Sequence, residues 1–219
     1  MLGEGVQLVS VFAHALLGTR PPKTSRRWLF VPYDQLHDGI GPLAHERPSE
    51  LGIVLVESLG KAGRRPYHRQ KLALVLTNLR HFALQQQLPG ALARPVTTDG
   101  GYAEALAPLV RELGPLRLQR PAERELRLEL QPLCDNGSLV EVPHEGWLST
   151  ADDFAAIAGP PWRMDAFYRQ VRRRTGTLMQ GGKPRGGKFS FDAENRRAWA
   201  GEPPAPEPPW RNRLWLARA

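Results

Sequence analysis

Cysteine is nearly absent from this 219-residue sequence, in which Cys134 stands alone. A lone thiol excludes an internal disulfide, and by itself it cannot ligate a structural zinc or an iron–sulfur cluster. Long apolar runs are lacking as well. The nearest approach, Val6 to Leu17, is broken by Ser10 and His14 and carries neither a basic leader nor a small-residue cleavage site. No membrane span, secretory signal or membrane partner is therefore expected, and the expected location is cytoplasmic. Also missing are a G-x-S-x-G elbow, a G-x-G-x-x-G after the first apolar run and an H-E-x-x-H pair, which removes hydrolase, nicotinamide and zincin readings. One run, Gly182 to Lys188 (GKPRGGK), has P-loop spacing. Phe189 stands where a magnesium-binding hydroxyl belongs, however, and FSFDAEN follows in place of an apolar helix. A glycine-rich turn leading into a linker is the better reading.

Acidic residues are scarce where basic ones are dense. Of a formal charge of +8, nearly the whole excess lies in one stretch, where Arg163, Arg169, Arg172, Arg173, Arg174, Lys183, Arg185 and Lys188 face only Asp165. Charge spread evenly would mean solubility; charge concentrated this way points to a polyanionic partner. The chain length suits one hydrophobic core with extensions.

Residues 1–25 close in GTRPPKTS, too polar and proline-rich to bury area, and are expected to be a flexible extension. RWLFVPY (27–33) and GIVLVE (52–57) are short apolar runs bounded by turn residues, as strands buried on both faces require. From His68 to Leu88, Leu72, Val75, Leu76, Leu79, Phe82 and Ala83 recur at helical spacing, leaving Arg69, Arg80 and Gln87 toward water. Strands at 93–98, 116–119 and 139–142 then alternate with helices at 102–113 and 122–133. This alternation predicts an α/β fold: a doubly wound, Rossmann- or flavodoxin-like, five-stranded parallel sheet in the order 3-2-1-4-5. A further helix begins at Ser149 or Thr150 and ends near Gly159, Pro160 and Pro161. A basic helix follows from Arg163 to about Met179. The domain boundaries expected are 26–180 for the α/β domain and 181–219 for a Gly/Pro-rich linker and tail, including GEPPAPEPP at 201–209.

Ligands of open parallel sheets bind beyond the carboxyl ends of the strands where the order reverses, expected here between the first two strands. Asp34 and Gln35 follow strand one, Glu57 ends strand two, and His68 and Lys71 open the next helix. Together they can hydrogen-bond a polar heterocycle or a ribityl chain. The alternative is structural: Asp34 caps a turn and Lys71 pairs with Glu57 at the surface. The basic helix also has two readings. Met164, Phe167, Tyr168, Val171, Thr175 and Leu178 form one stripe, with the arginines opposite. That face can neutralise a phosphate backbone or meet the carboxylates of another domain.

Beyond these physical patterns, MDAFYRQVRRRTGTLM followed by GGKPRGGKFSFDAENR resembles the helix and linker closing the N-terminal domain of the deoxyribodipyrimidine photolyase-related family, the bacterial iron–sulfur cryptochromes and photolyases. YDQL (33–36) is similar to that family's G-D-Q-L. LVE ending at Glu57, HRQKLAL from His68 and PAERELRLE from Pro121 resemble its carboxylate, H-x-x-K-[LI] and P-x-E segments. The resemblance runs from Trp28 to Arg197. It implies light-dependent DNA repair or light sensing, with a ribityl-lumazine antenna held by Asp34, Gln35, Glu57, His68, Lys71 and Glu123. It further implies a C-terminal helical half carrying FAD and a [4Fe-4S] cluster. Since the sequence stops soon after the linker, the expectation is an N-terminal antenna-type domain only, inactive alone and completed by a separately encoded flavin-binding helical domain. Arg163, Arg169, Arg172, Arg173, Arg174 and Lys188 are the expected DNA-binding or domain-docking residues. One departure stands out: Tyr33 replaces the family's glycine, putting a ring where backbone would approach a ligand. The alternative is a stand-alone basic nucleic-acid-binding or docking domain without enzymatic activity.

Overall fold

A computed structural model describes residues 26–157, 160–161 and 163–195. The extension at 1–25 and the proline-rich tail lie outside the described residues. Two compact units divide the chain after Trp147, ahead of the basic helix, whereas the sequence pattern sets the boundary behind it at 180.

The first unit is a five-stranded parallel sheet in the order β3-β2-β1-β4-β5, built from β1 (Arg27–Phe30), β2 (Leu51–Ser58), β3 (Leu92–Thr98), β4 (Leu116–Gln119) and β5 (Leu139–Val142). Every residue of β2 is buried, as its unbroken apolar run requires of a central strand covered on both faces. Side chains alternate across the sheet. Leu29, Val31, Ile53 and Leu55 point to one face, packed on Leu79, Phe82 and Ala83 of α3 (Arg69–Gln87). Phe30, Val54 and Val56 point to the other, packed on Leu106 and Leu109 of α4 (Tyr102–Leu113) and on Leu126 and Leu130 of α5 (Arg124–Asp135). A doubly wound α/β unit results.

Two short helices escape a reading based on periodicity: α1 (Gly41–His45) and α2 (Leu59–Gly63). Ser58 caps α2, its Oγ accepting from the Lys61 amide at 2.9 Å and donating to the Gly100 carbonyl at 2.6 Å. Gly60 is required there, because a Cβ would come within 2.7 Å of that same carbonyl oxygen.

One expectation is corrected by the sheet order. The chain winds outward from β1 through β2 to β3, then crosses back to lay β4 and β5 on the opposite side of β1. The reversal therefore lies between β1 and β4, not between the first two strands. The crevice follows from that geometry, because the connections leaving β1 and β4 diverge there.

The second unit contains α6 (Ala151–Ile157), α7 (Met164–Thr175), the two-stranded hairpin β6 (Met179–Gln180) and β7 (Lys183–Pro184), and α8 (Asp192–Asn195). Phe154 of α6 meets Phe167 of α7 edge-on, with ring centroids 5.1 Å apart. Helix α7 stops at Gly176, whose left-handed φ of 70° suits a residue without Cβ. Leu178 is also left-handed, at φ 53°, a conformation that costs an ordinary side chain roughly 1 kcal/mol.

Candidate functional site: a self-paired crevice and an arginine-pinned hairpin

At the carboxyl edge of the sheet, the residues beyond β1 and β4 are joined to each other. The Gln35 amide donates to the Gln119 and Arg120 carbonyls, both at 3.2 Å, tying the loop after β1 to the end of β4. The Tyr33 hydroxyl donates to Glu123 at 2.8 Å. Lys61, only 8% exposed, donates to the other oxygen of the same carboxylate. Burial acts to raise the Glu123 pKa, but the bonds from Lys61 and Tyr33 outweigh it and hold the carboxyl below its ordinary value. The same contact works oppositely on Tyr33: burial, then the hydrogen bond to Glu123, pushes its hydroxyl upward, so it stays a proton donor. Glu123 is thus an ionised acceptor with both oxygens engaged, unsuited to moving protons. Asp34 lies beside this pair, its pKa raised chiefly by desolvation of its carboxyl and further by the charge of Glu123.

Glu57, at the end of β2, is buried and clasped by Arg80, with Nε–Oε1 at 2.7 Å and Nη2–Oε2 at 2.8 Å. Arg80 thus serves a partner on the sheet rather than simply facing water. Lys71 does not pair with Glu57; its ammonium lies 5.3 Å from the Tyr67 ring centre. His68 caps α3, Nδ1 accepting from the Gln70 amide at 3.2 Å. Tyr33, Glu57, Lys61, Tyr67, Lys71 and Tyr102 share a largely apolar cavity of about 170 Å³. Asp34, Gln35, His68 and Glu123 do not line it. Lys61, Arg80 and Tyr102 were invisible to motif reading, since their partners are remote in sequence. The one local signal for Lys61 is its place three residues after Ser58, the cap of α2.

The second unit separates the basic residues into two kinds. Arg172 is 5% exposed. Its guanidinium donates to the carbonyls of Thr177 at 3.2 Å, Leu178 at 2.6 Å and Phe189 at 2.7 Å, and lies 5.3 Å from the Phe189 ring centre. Arg174 is likewise engaged, with Asp153 and with the Leu148 carbonyl. Arg163, Arg169, Arg173 and Lys188 are exposed. The stripe expected along α7 is only half realised. Phe167 and Val171 are partly covered, Met164 and Tyr168 are exposed, and Leu178, also exposed, lies beyond the helix, which ends at Thr175 rather than near Met179. Arg172 takes the interior position, where its guanidinium supplies donors to three backbone carbonyls.

A sequence model of the family described as deoxyribodipyrimidine photolyase-related protein matches residues 29–214. This chain belongs to that family. It is also similar to a (6-4) photolyase of Agrobacterium fabrum, 31% identical over 175 residues, which amount to 75% of this chain and 34% of that protein. The chain therefore spans about a third of the length of the curated relative it matches.

Against that family, the crevice carries a departure with a visible consequence. Tyr33, which the resemblance sets at the family's glycine position, walls the cavity and engages Glu123. The remaining 170 Å³ is smaller than the ~300–1,000 Å³ typical of small-molecule sites. With Glu57 held by Arg80 and Glu123 by Lys61 and Tyr33, the residues as arranged do not fit a ribityl-lumazine. A four-thiolate cluster does not fit either, because the chain has the single cysteine Cys134. Among the described residues, no helix is long and apolar enough to cross a membrane.

Proposed function

We propose that this chain supplies the antenna-type α/β part of a photolyase- or cryptochrome-related protein of light-dependent DNA repair or light sensing, working in the cytoplasm and performing no lesion chemistry alone. The carrying observation is that the match to a photolyase-related family coincides with a doubly wound sheet whose family-like residues Asp34, Gln35, Glu57 and Glu123 gather at its carboxyl edge. In this reading FAD and the [4Fe-4S] cluster belong to a flavin-binding helical domain supplied as a partner. Tyr33 keeps the antenna crevice closed.

Co-expression of this chain with a flavin-binding helical domain from a photolyase-related protein is expected to give a co-eluting, flavin-coloured complex. A colourless preparation with every such domain would sink the reading. For the crevice, Tyr33→Gly is expected to bind added ribityl-lumazine by fluorescence titration while the unaltered chain does not. Failure of the folded variant to bind removes the antenna assignment.

A second reading is supported by the exposed cationic side chains of the second unit, Arg163, Arg169, Arg173 and Lys188. It makes the chain a nucleic-acid-binding or partner-docking protein without enzymatic activity, its binding weakened by salt. The engaged positions of Arg172 and Arg174 support testing it with Arg163, Arg169 and Arg173 instead, so that loss of binding is not loss of fold.

A further inference from the structure

The hairpin segment encloses a second cavity, of about 390 Å³, within the second unit. Its walls include the aromatic rings of Tyr168, Phe189 and Phe191, its cationic members are Arg172 and Arg185, and its one acidic member is Asp192. Tyr168 is 45% exposed and Phe191 39%. Two rings thus face solvent beside positive charge, a combination that a merely solvated basic surface does not need.

One wall of the cavity is held by hydrogen bonds. Arg172 spends its donors on the Thr177, Leu178 and Phe189 carbonyls. It thereby fixes one wall and supports the left-handed backbone of Leu178, whose carbonyl also accepts from the Arg185 amide at 2.9 Å. Strain retained where surrounding contacts over-determine it is characteristic of binding sites. The Arg185 side chain is exposed and has no partner among the described residues. Arg173 stands 5.0 Å from the Phe189 ring centre, and Lys188 is 4.7 Å from that of Phe191. Arg172 lies 5.4 Å from the Tyr168 ring centre, so each of the three rings has a cation beside it.

We infer that this cavity takes one nucleotide of a single-stranded nucleic acid, with the base against Tyr168 and Phe191 and the neighbouring phosphates on Arg185 and Arg173. The volume lies within the ~300–1,000 Å³ range of small-ligand sites. Exposed rings in a basic groove are the chemistry by which sequence-tolerant single-strand binders work. An acidic peptide would use the charge and leave both rings idle. A duplex keeps its bases stacked away from such rings. This inference deepens the basic-segment reading and is independent of the antenna reading.

The test is fluorescence anisotropy of the full chain with a labelled oligothymidine and with a duplex of equal length, at low and moderate salt. Expected are preference for the single strand, weakening with salt, and a loss of about tenfold in affinity for each of Tyr168→Ala and Phe191→Ala. Arg185→Ala should weaken binding and flatten the salt dependence. Circular dichroism establishes that each variant is folded, and Tyr168→Phe, which keeps the ring, should restore binding. Salt-sensitive binding unchanged in both alanine variants would overturn the inference while leaving the basic-segment reading intact. Tighter duplex binding, or full competition by polyglutamate at charge-matched concentration, would also overturn it. Absence of binding by the unaltered chain sinks both.

Discussion

The α/β unit and the basic unit use charge in opposite ways. In the sheet unit, carboxylates and cations from distant parts of the chain meet and cancel: Lys61 with Glu123, Arg80 with Glu57, Arg117 with Glu46, Arg64 with Glu129. In the second unit the interior arginine is answered by backbone carbonyls, and several others extend into solvent. Charge that pairs across elements fixes a fold. Charge left over beside exposed rings is available to a ligand. The crevice that looks like a ligand site by topology is thus internally satisfied, and the segment that looks like a linker holds an open cavity lined by rings and cations.

The sharpest way to break this comparison is Arg172→Leu. Leaving three carbonyls without their donor should destabilise the second unit by about 3 kcal/mol, read as faster amide exchange across 164–190 with exchange in the sheet unit unchanged. Equal loss of protection in both units would mean that they unfold as one body.

Next in size is Lys61→Met. Removing the cation from Glu123 should cost about 1–2 kcal/mol, after discounting for the partial exposure of the carboxylate, measured by urea unfolding of the sheet unit. The pH dependence carries the same signature. Because the folded-state pKa of Glu123 lies below its ordinary 4.5, its stabilisation is present above that pH and lost as pH falls through the lower folded value. Lys61→Met should flatten this acid-side loss. An unchanged acid profile would show that Glu123 is not held by Lys61.

A smaller effect is expected of Glu129→Ala. Glu129 reaches from α5 to the first amides of α4, accepting from Tyr102 at 2.5 Å and Ala103 at 3.4 Å, and pairs with Arg64 at 2.8 Å. Losing such a cap should cost about 1 kcal/mol, measured as a lowered unfolding midpoint. Smallest of all is Arg185→Ala, expected to change stability by less than about 0.5 kcal/mol by thermal unfolding. A larger loss would make Arg185 a structural residue and return it to the pattern of Arg172.

Much of the fold was legible because it rests on local periodicity. The run GIVLVE, bounded by turn residues, reads as a strand covered on both faces, and the spacing of Leu79, Phe82 and Ala83 puts them on one side of a helix. Helices α1 and α2 escaped because a single turn carries no period. The candidate site was legible in its members and less so in their state. Glu57 and Glu123 do lie at the carboxyl edge, yet nothing adjacent in sequence announces that Arg80 and Lys61 occupy them. Arg172 misled for a related reason, since helical spacing assigns it a face but says nothing of carbonyls that return from the hairpin.

The sequence by itself determined the alternation of strands and helices, the family, and the concentration of positive charge between Arg163 and Lys188, because composition and period are properties of neighbours along the chain. Only the tertiary structure decided that Tyr33 closes on Glu123 and that Arg172 turns inward while Arg185 does not. Those outcomes depend on which donors and acceptors meet after residues far apart in sequence are brought together. Burial makes an unpartnered polar group costly, which favours such pairings.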